Sequence, residues 1–198
     1  TATATLAGGN VVHYICDEQS EWYPDIDDIR SKITDKTKAI VIINPNNPTG
    51  NLIPEGILVN ILDICRDRNI VVVADECFLR FNPQYEIISC KRFLDDYDNL
   101  VIINAFAKFY AMAGLRLGYL MTGDLSLLHA VAQQLPEWNV SSIAQRAGIS
   151  ALQDTEYEKR TRQLIEKERR YLIQEFLKMG CTVFPSEADY ITFRLPQE

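Results

Sequence analysis

Three polar side chains that could do chemistry, Asn47, Asp75 and Lys108, each follow an uninterrupted apolar run. The runs are residues 39–43, 70–74 and 100–103. Val and Ile runs of this kind are typical of parallel strands covered on both faces, and parallel sheets bind ligands at the carboxyl ends of their strands. The chain between successive runs is long enough for a crossover connection. We therefore expect an amide, a carboxylate and an amine at one edge of one sheet.

Asn47 lies in the sequence NPNNPTG at residues 44–50, which we call the asparagine loop. Its two prolines fix φ and remove backbone donors, while Gly50 permits a backbone conformation that other residues avoid. Its three asparagines offer side-chain amides instead of charge. Taken alone, the loop is as consistent with an ordinary turn as with a loop that presents an amide to a ligand.

An amide, a carboxylate and an amine at one sheet edge are the groups that a pyridoxal phosphate site requires. Lys108 would form a Schiff base with the cofactor aldehyde, and Asp75 would keep the pyridine nitrogen protonated, so that the ring becomes an electron sink. The amide of Asn47 would bond the 3-oxygen of the ring. Arg116 offers a planar guanidinium group for the phosphate.

In this combination the sequence resembles the aminotransferase class I/II group of fold type I pyridoxal phosphate enzymes. The marks of that group are an Asn-Pro-x-Asn-Pro-Thr-Gly loop, an Asp at a strand end, a Schiff-base Lys and an Arg eight residues later. The resemblance covers about residues 6–195. It implies that Asn47 contacts the ring oxygen, Asp75 the ring nitrogen and Arg116 the phosphate, and that Lys108 carries the cofactor. It also implies a homodimer with active sites near the subunit boundary.

Within this group the sequence is most similar to threonine-phosphate decarboxylases of cobalamin synthesis, whose close relatives are the histidinol-phosphate aminotransferases. The similarity rests on residues 75–79, 108–116 and 138–141 and implies a small phosphorylated amino substrate. Three interpretations stay open: a decarboxylase, a transaminase, and an inactive fragment that keeps only the fold of the cofactor domain. The carboxylate and phosphate clamps that select the bond to be broken are expected outside this sequence.

Three departures from the family pattern bear on the site. Phe78 stands where many relatives have a Tyr that donates to the ring oxygen, although the decarboxylase-like subgroup often has Phe there. Ala105 and Ala107 replace the hydroxyl residues that commonly precede the Schiff-base Lys, so phosphate binding is expected to depend more on Arg116 and on backbone donors. Arg80 stands where the subgroup often has an acidic residue, and the sequence leaves open whether it faces substrate or solvent.

The 198 residues are about half of the length that the resemblance implies. We expect the sequence to begin after the family's first third and to stop before its final segment. The phosphate-binding glycine loop and the aromatic residue that stacks on the ring would precede it, and the Arg for the substrate carboxylate would follow. We interpret residues 1–153 as a partial cofactor-binding large domain, and residues 154–198 as a linking helix and the beginning of a small C-terminal domain.

Composition restricts the partners and the compartment. The chain is 47% hydrophobic and 24% charged, with a net charge of −7, which argues against nucleic acid or an anionic membrane as a partner. It has no apolar run of about 18 residues that could span a bilayer. Its five cysteines are scattered without metal-ligand spacing, which is typical of reduced thiols in a cytoplasmic protein. The sequence contains neither of the glycine-rich nucleotide-binding motifs, GxGxxG and GxxxxGK(S/T).

Alternating helical and strand patterns predict an α/β fold, the three-layer, mostly parallel sheet of the pyridoxal-phosphate-dependent transferase large domain. A small α+β domain is expected to begin after it. The predicted strands are residues 11–15, 39–43, 70–74, 100–103, 117–121, 182–184 and 190–193. The predicted helices are residues 25–33, one opened by Pro54, 125–135 capped by Asp124, 139–152 and 155–178.

The long predicted helix at residues 155–178 carries charged pairs at i,i+4 spacing on one side and a mostly apolar stripe on the other. We expect these pairs to be solvated surface, since exposed ion pairs contribute little to stability. The pairs are Glu156 with Arg160, Glu158 with Arg162, and Glu166 with Arg170.

Overall fold

The structure, a computed structural model, describes residues 2–196. Thr1 of the first predicted domain, and Gln197 and Glu198 of the second, lie outside the described part. The helices are α1 Ala2–Leu6, α2 Ile26–Lys32, α3 Glu55–Arg66, α4 Tyr85–Ile88, α5 Leu125–Gln134, α6 Ser142–Gln153 and α7 Thr155–Lys178. The strands are β1 Ala39–Ile43, β2 Val71–Asp75, β3 Leu100–Ala105, β4 Gly118–Thr122, β5 Thr182–Val183 and β6 Phe193–Arg194.

Strands β1 to β4 form one sheet in that order, and most of it is parallel, which confirms the predicted fold class. Ile43 lies opposite Asp75, and Asp75 lies opposite Ile103, so β1, β2 and β3 end close to one another. β4 runs antiparallel to β3, and its first residue, Gly118, lies opposite Ala105. Residues that precede β4 therefore reach the same edge as residues that follow the other three strands.

The main hydrophobic core lies between one face of this sheet and helices α2 and α3. Alternate strand residues point to the same face, so Ile42 and Val72 are buried together there. α3 begins directly after Pro54 and adds an apolar stripe at helical spacing to this core. Full burial of each such aliphatic side chain contributes about 1.5–3 kcal/mol, which fixes α3 across β2. The stripe consists of Leu58, Ile61, Leu62 and Cys65.

The other face of β1 is open, although its apolar run predicts burial on both sides. Val41, in the middle of β1, is 53% exposed, whereas its neighbours Ile40 and Ile42 are buried. The expectation of two covered faces is therefore wrong for β1. The reason is that α2 and α3 both join the core on the Ile40 side, while the second hydrophobic cluster packs beyond the end of β3. This second cluster consists of Phe81, Phe106, Phe109, Tyr110 and Ala151.

Residues 11–15 do not form the predicted strand, because no strand of the described chain pairs with them. The segment is instead held by hydrogen bonds that involve side chains. The Ile15 N–H donates a hydrogen bond to Asp28 Oδ2 at 2.8 Å, and the Tyr14 hydroxyl donates to the Val41 carbonyl of edge strand β1 at 3.1 Å. An alternating apolar pattern is therefore not sufficient for a strand when no partner strand lies beside it.

Capping side chains fix where two helices begin. Asp124 precedes α5 as predicted, and its carboxylate accepts hydrogen bonds from the Ser126 and Leu127 N–H groups. α6 begins later than the predicted residue 139, because the Ser141 hydroxyl accepts a hydrogen bond from the Ala144 N–H and caps the helix there.

α7 has the predicted length, but its apolar stripe is covered only near its beginning. Tyr157 and Ile165 pack against the second hydrophobic cluster, whereas Leu164 and Leu172 are exposed. After α7, β5 and β6 pair antiparallel as a short ribbon, and both strands are shorter than the sequence predicts.

Within residues 2–196, no helix is both long and apolar enough to cross a membrane. The same residues contain no cluster of His, Cys, Asp and Glu that could hold a metal ion. All five cysteines are free. Burial raises the pKa of the Cys16 and Cys65 thiols to about 11, so neither is a reactive thiolate at neutral pH.

Candidate active site

The polar residues that follow β1, β2 and β3 leave the sheet at one edge, which is the candidate site. The strand ladder continues to this edge, since the Asn44 N–H donates to the Asp75 carbonyl at 2.9 Å and the Glu76 N–H donates to the Ile103 carbonyl at 3.0 Å. The loop that carries Lys108 follows β3 directly. Parallel pairing therefore puts three chemically different loops next to one another.

The asparagine loop uses two of its three side-chain amides to hold its own shape. Asn44 is buried, and its Oδ1 accepts a hydrogen bond from the Ile53 N–H at 2.9 Å. Asn46 Oδ1 accepts a hydrogen bond from the Thr49 hydroxyl at 2.9 Å. Asn47 is exposed, and its side chain makes no hydrogen bond to the described part of the chain. It is therefore the amide that the loop leaves free for a ligand.

Asp75 and Lys108 present a carboxylate and an amine with few internal partners. Asp75 Oδ1 accepts a hydrogen bond from the Cys77 N–H at 3.0 Å, and the carboxylate forms no ion pair within residues 2–196. Lys108 Nζ has neither a hydrogen bond nor an ion pair in the same range. It lies 5.3 Å from the centroid of the Phe78 ring, a distance at which the ring face attracts a cation.

Arg116 stands at the entrance to β4 in a left-handed backbone conformation, with φ 52° and ψ 43°. A non-glycine residue adopts this conformation at a cost of about 1–3 kcal/mol, so the surrounding turn must hold it. Its Nη1 donates to the Ala113 carbonyl at 3.3 Å, and the side chain is otherwise exposed. The remaining guanidinium N–H groups are free to face an anion.

One further part of the site, residues 186–192, is not marked by any motif; we call it the docking segment. The Tyr190 hydroxyl donates to the Asn46 carbonyl at 2.7 Å, and the Glu187 N–H donates to the Gly50 carbonyl at 2.8 Å. These bonds lay the docking segment along the asparagine loop as a wall of the site. No motif marks the segment, because contacts between residues so distant in sequence leave no local periodic signal.

The docking segment also brings charge towards Lys108. The Tyr190 ring meets the Phe78 ring edge to face, with centroids 5.1 Å apart, and Phe78 in turn faces Lys108. Burial raises the pKa of the neighbouring Asp189 carboxyl, while the positive charges of Lys108 and Arg169 act in the opposite direction. Asp189 thus places a carboxyl group in the electrostatic surroundings of Lys108.

Cys77 lies beside Asp75 but is not an activated nucleophile. Burial raises the pKa of its thiol to about 12, and the hydrogen bond and negative charge of Asp75 raise it as well. The positive charge of Lys108 lowers this pKa but does not overcome the other effects. The thiol therefore stays protonated at neutral pH.

The prediction that Glu158 and Arg162 form a solvated pair is wrong. Their side chains are only 13% and 19% exposed, and Glu158 also binds Arg80 at 3.0 Å. Arg80, whose surroundings the sequence leaves open, therefore faces Glu158 inside the protein. The i,i+4 spacing is correct, but the start of α7 is turned against the second hydrophobic cluster, and only the tertiary packing decides that orientation. The pair of Glu166 and Arg170 is exposed, as predicted.

The donor set of the site fits pyridoxal phosphate. Lys108 supplies an amine, Asp75 a carboxylate, Asn47 an amide and Arg116 a guanidinium group. Within residues 2–196 each of them keeps polar atoms that no protein group satisfies. An aldehyde, a ring nitrogen, a ring oxygen and a phosphate are the groups that this combination can bind. The predicted roles of the four residues stay predictions.

Comparisons with known proteins agree with this chemistry. A family model described as aminotransferase class I and II matches residues 1–198. Glutamate-pyruvate aminotransferase AlaA of Haemophilus influenzae is 42% identical over 121 residues, which are 61% of this chain and 30% of that protein. A histidinol-phosphate aminotransferase of Ruminiclostridium cellulolyticum is 31% identical over 195 residues, which are 98% of this chain and 52% of that protein.

Among solved structures, the histidinol-phosphate aminotransferase from Clostridium acetobutylicum has a TM-score of 0.90 and 32% sequence identity, and the match covers 100% of this chain and 58% of that chain. An alanine aminotransferase from Pyrococcus furiosus has a TM-score of 0.80 and 31% identity, and covers 98% of this chain and 52% of that chain. The chain thus spans about half of the length of these relatives.

Proposed function

Because the chain belongs to the aminotransferase class I and II family, whose members depend on pyridoxal phosphate, we propose that it forms the cofactor-binding core of an aminotransferase. The observation that carries the proposal is the shared sheet edge, where β1, β2 and β3 end and the antiparallel β4 begins. The segments that carry Asn47, Asp75, Lys108 and Arg116 all leave or enter the sheet at this edge.

In the proposed site each residue has one task. When bound, pyridoxal phosphate supplies a conjugated ring that accepts electrons from the substrate carbon. The Asp75 carboxylate holds a proton on the ring nitrogen, and the Asn47 amide orients the ring through its oxygen. Arg116 binds the phosphate with its planar N–H groups. Lys108 Nζ would hold the cofactor, and its amine would be the base that accepts the α-proton of the substrate and the acid that donates it again.

For the substrate, we propose a small amino compound that carries a phosphate, with histidinol phosphate as the first candidate. The support is that the histidinol-phosphate aminotransferase structure has a TM-score of 0.90 over 100% of this chain, compared with 0.80 over 98% for the alanine aminotransferase, and that a second histidinol-phosphate aminotransferase matches 98% of the chain in sequence. A second candidate is decarboxylation of threonine phosphate. Phe78 favours it, since this residue faces Lys108 and cannot donate a hydrogen bond as the Tyr of many relatives does.

Removing the amine of Lys108 tests the central role. In the parent, borohydride reduction is expected to attach pyridoxal phosphate covalently to Lys108. We expect Lys108→Ala to lose this covalent label, because the variant has no amine at this position. Mass spectrometry of peptides after incubation with pyridoxal phosphate locates the label. Lys91→Ala, an exposed lysine beside Glu86, is the control and retains the label on Lys108. Equal labelling of other lysines in the parent would contradict the assignment, and no label at all would support an inactive fragment.

Product analysis separates the reactions. We expect the protein to form the keto product from histidinol phosphate, with an added 2-oxo acid as the acceptor of the amino group and without release of CO₂. Threonine phosphate and the pair of glutamate and pyruvate are assayed in parallel. CO₂ release from threonine phosphate would instead establish the decarboxylase, and activity with only glutamate and pyruvate would overturn the phosphorylated substrate.

The partner proposed in addition to this substrate is a second copy of the protein. Its support is the apolar surface of α5, α6 and the turn between them, where Trp138 is 94% exposed and Ile143 is 70% exposed. We also propose a cytoplasmic location, which the five unpaired cysteines support.

A further inference from the structure

Four polar side chains form a buried network between the start of α7 and the loop that carries Lys108. Glu158 Oε1 accepts hydrogen bonds from the Tyr110 hydroxyl at 2.5 Å and from Arg80 Nη2 at 3.0 Å. Glu158 Oε2 accepts from Arg162 Nη2 at 2.9 Å, and Arg162 Nε donates to the Arg80 carbonyl at 3.1 Å. We call these four side chains the Glu158 network.

Glu158 is the only acidic member of the Glu158 network, and its negative charge balances the charges of Arg80 and Arg162. Burial by itself would raise the pKa of its carboxyl, but the hydrogen bonds from Tyr110 and Arg162 and the charge of Arg80 lower that pKa below its usual value. The carboxylate is therefore ionised at neutral pH and is shared by two guanidinium groups. Its removal would leave both cations in a poorly hydrated site without a counter-charge.

Aromatic rings hold the two cations of the network in place. The Arg80 guanidinium lies 4.8 Å from the centroid of the Tyr85 ring, and the Arg162 guanidinium lies 4.8 Å from the same ring. Arg162 also lies 5.1 Å from the Phe109 ring. At these distances ring faces attract cations, so the network is built to hold a defined geometry.

Two residues that follow Lys108 are both bound by α7. The Tyr157 hydroxyl donates to the Phe109 carbonyl at 3.0 Å, and Tyr110 donates to Glu158. Phe109 and Tyr110 are buried, whereas Lys108 is exposed. The position of the Lys108 backbone is therefore determined by contacts of its neighbours with α7, while its side chain stays free to react.

The same helix also holds the docking segment. Arg169, further along α7, donates to the Ser186 carbonyl and lies 3.8 Å from Glu187. Asn82, in the loop that follows Arg80, donates to Glu187 as well, at 2.8 Å. α7 thus contacts both the docking segment and the loop that carries Lys108, which we call the lysine loop.

From these contacts we propose that Glu158 is a positioning residue for Lys108. Its carboxylate links the first turns of α7 to the lysine loop. The packing of α7 against this loop thereby determines the position of Lys108 Nζ. The assignment of Lys108 as the cofactor-bearing residue rests on the proposed function, whereas the coupling between α7 and the loop does not.

Cofactor binding tests the consequence for the site. We expect Glu158→Gln to raise the Kd for pyridoxal phosphate about tenfold, as the loss of a hydrogen-bonded charge partner predicts, and to weaken the visible circular dichroism of the bound cofactor. The matched control is Glu166→Gln, which breaks the exposed pair with Arg170 on the same helix. It leaves both the Kd and the dichroism unchanged. Parent-like values in Glu158→Gln would overturn the proposal.

A milder variant protects the test against misfolding. Tyr110→Phe removes only the hydroxyl that donates to Glu158, and leaves the ring and both ion pairs in place. Hydrogen exchange without cofactor is expected to be about tenfold faster for the amides of residues 108–112 in this variant, with α3 unchanged. Unchanged exchange in residues 108–112 would overturn the coupling. If the parent itself binds no cofactor, the proposed function fails, but this exchange experiment still tests the coupling.

Discussion

At the scale of single residues, two adjacent carboxyl groups at the end of β2 have opposite surroundings. Asp75 is only partly buried and bonds to neighbouring Cys77, whereas Glu76 is buried and has both of its oxygens hydrogen-bonded to residues distant in sequence. Glu76 Oε1 accepts from the Cys90 N–H at 2.6 Å, and Oε2 accepts from the Ser89 hydroxyl at 2.7 Å. Alternation along the chain explains the difference, since successive side chains at a strand end point to opposite faces. Asp75 is thus available for chemistry, and Glu76 ties a distant loop to the sheet.

Glu76 makes stability depend on pH. Burial raises the pKa of its carboxyl, and the hydrogen bonds from Cys90 and Ser89 only partly offset this. Above its usual pKa the folded state therefore binds more protons than the unfolded state, so the contribution of Glu76 to stability is lost as pH rises through the raised pKa. We expect Glu76→Gln to remove this loss, because an amide is neutral at every pH and the Ser89 hydroxyl can accept its N–H.

Urea unfolding at pH 5 and pH 8 measures the effect. The parent is expected to lose more unfolding free energy between these two pH values than Glu76→Gln does. Glu86→Gln, at an exposed position, serves as the control and keeps the parent's pH dependence. An equal change in all three proteins would show that Glu76 is ionised without cost in the folded state.

At the scale of structural elements, the asparagine loop and the docking segment fit together through a glycine. Gly50 has a φ of +80°, and a Cβ atom added there would lie 2.1 Å from Ser186 Oγ. Ser186 cannot move away freely, because its hydroxyl donates to the Tyr190 carbonyl at 2.6 Å. The glycine therefore serves both the turn and the close approach of a segment that is distant in sequence.

Gly50→Ala is expected to lower the unfolding free energy by about 1–3 kcal/mol, the cost of a strained left-handed residue, and to loosen the docking segment. Chemical denaturation measures the first effect, and limited proteolysis within residues 186–192 measures the second. Gly56→Ala is a matched control, since an added Cβ in this helical position meets no atom within 4 Å. It is expected to raise stability by about 0.5–1 kcal/mol. Similar effects of both substitutions would contradict the proposed contact.

At the scale of the whole molecule, large apolar side chains are exposed on several elements. Several of them lie on α5, α6 and the connecting turn, which is the surface proposed to bind a second copy. Exposed apolar side chains that together form a patch mark protein–protein contacts, which is the basis of this proposal. The side chains are Leu125, Trp138, Ile143, Ile149 and Leu152.

A charge on that surface is expected to prevent self-association. Ile143→Glu places a carboxylate where an apolar contact is proposed, so that its desolvation opposes binding. Sedimentation velocity over a range of concentrations gives the dissociation constant of the dimer. We expect Ile143→Glu to raise this Kd at least about tenfold. Ile87→Glu is the control, because it makes the same substitution at another exposed Ile, on α4. It is expected to keep the parent's dimer Kd. A parent that sediments as a monomer throughout would contradict the dimer proposal.

By itself the sequence determined the elements whose signals are local. The apolar runs of β1, β2 and β3, the cap at Asp124 and the length of α7 were all predictable, since each depends on neighbours within a few residues. The order of polar residues after the strands also predicted one common sheet edge, because parallel strands end at the same side.

Only the tertiary structure decided which surfaces meet. It made β4 antiparallel, so that Arg116, which precedes β4, lies at the edge where β1, β2 and β3 end. Within residues 2–196 it provided no partner strand for residues 11–15. It also turned Glu158 from an expected surface position into the centre of a buried network, and laid residues 186–192 along the asparagine loop. The physical reason is the same in each case: burial and pairing depend on residues far apart in sequence, and the periodicity of one segment contains no information about its partner.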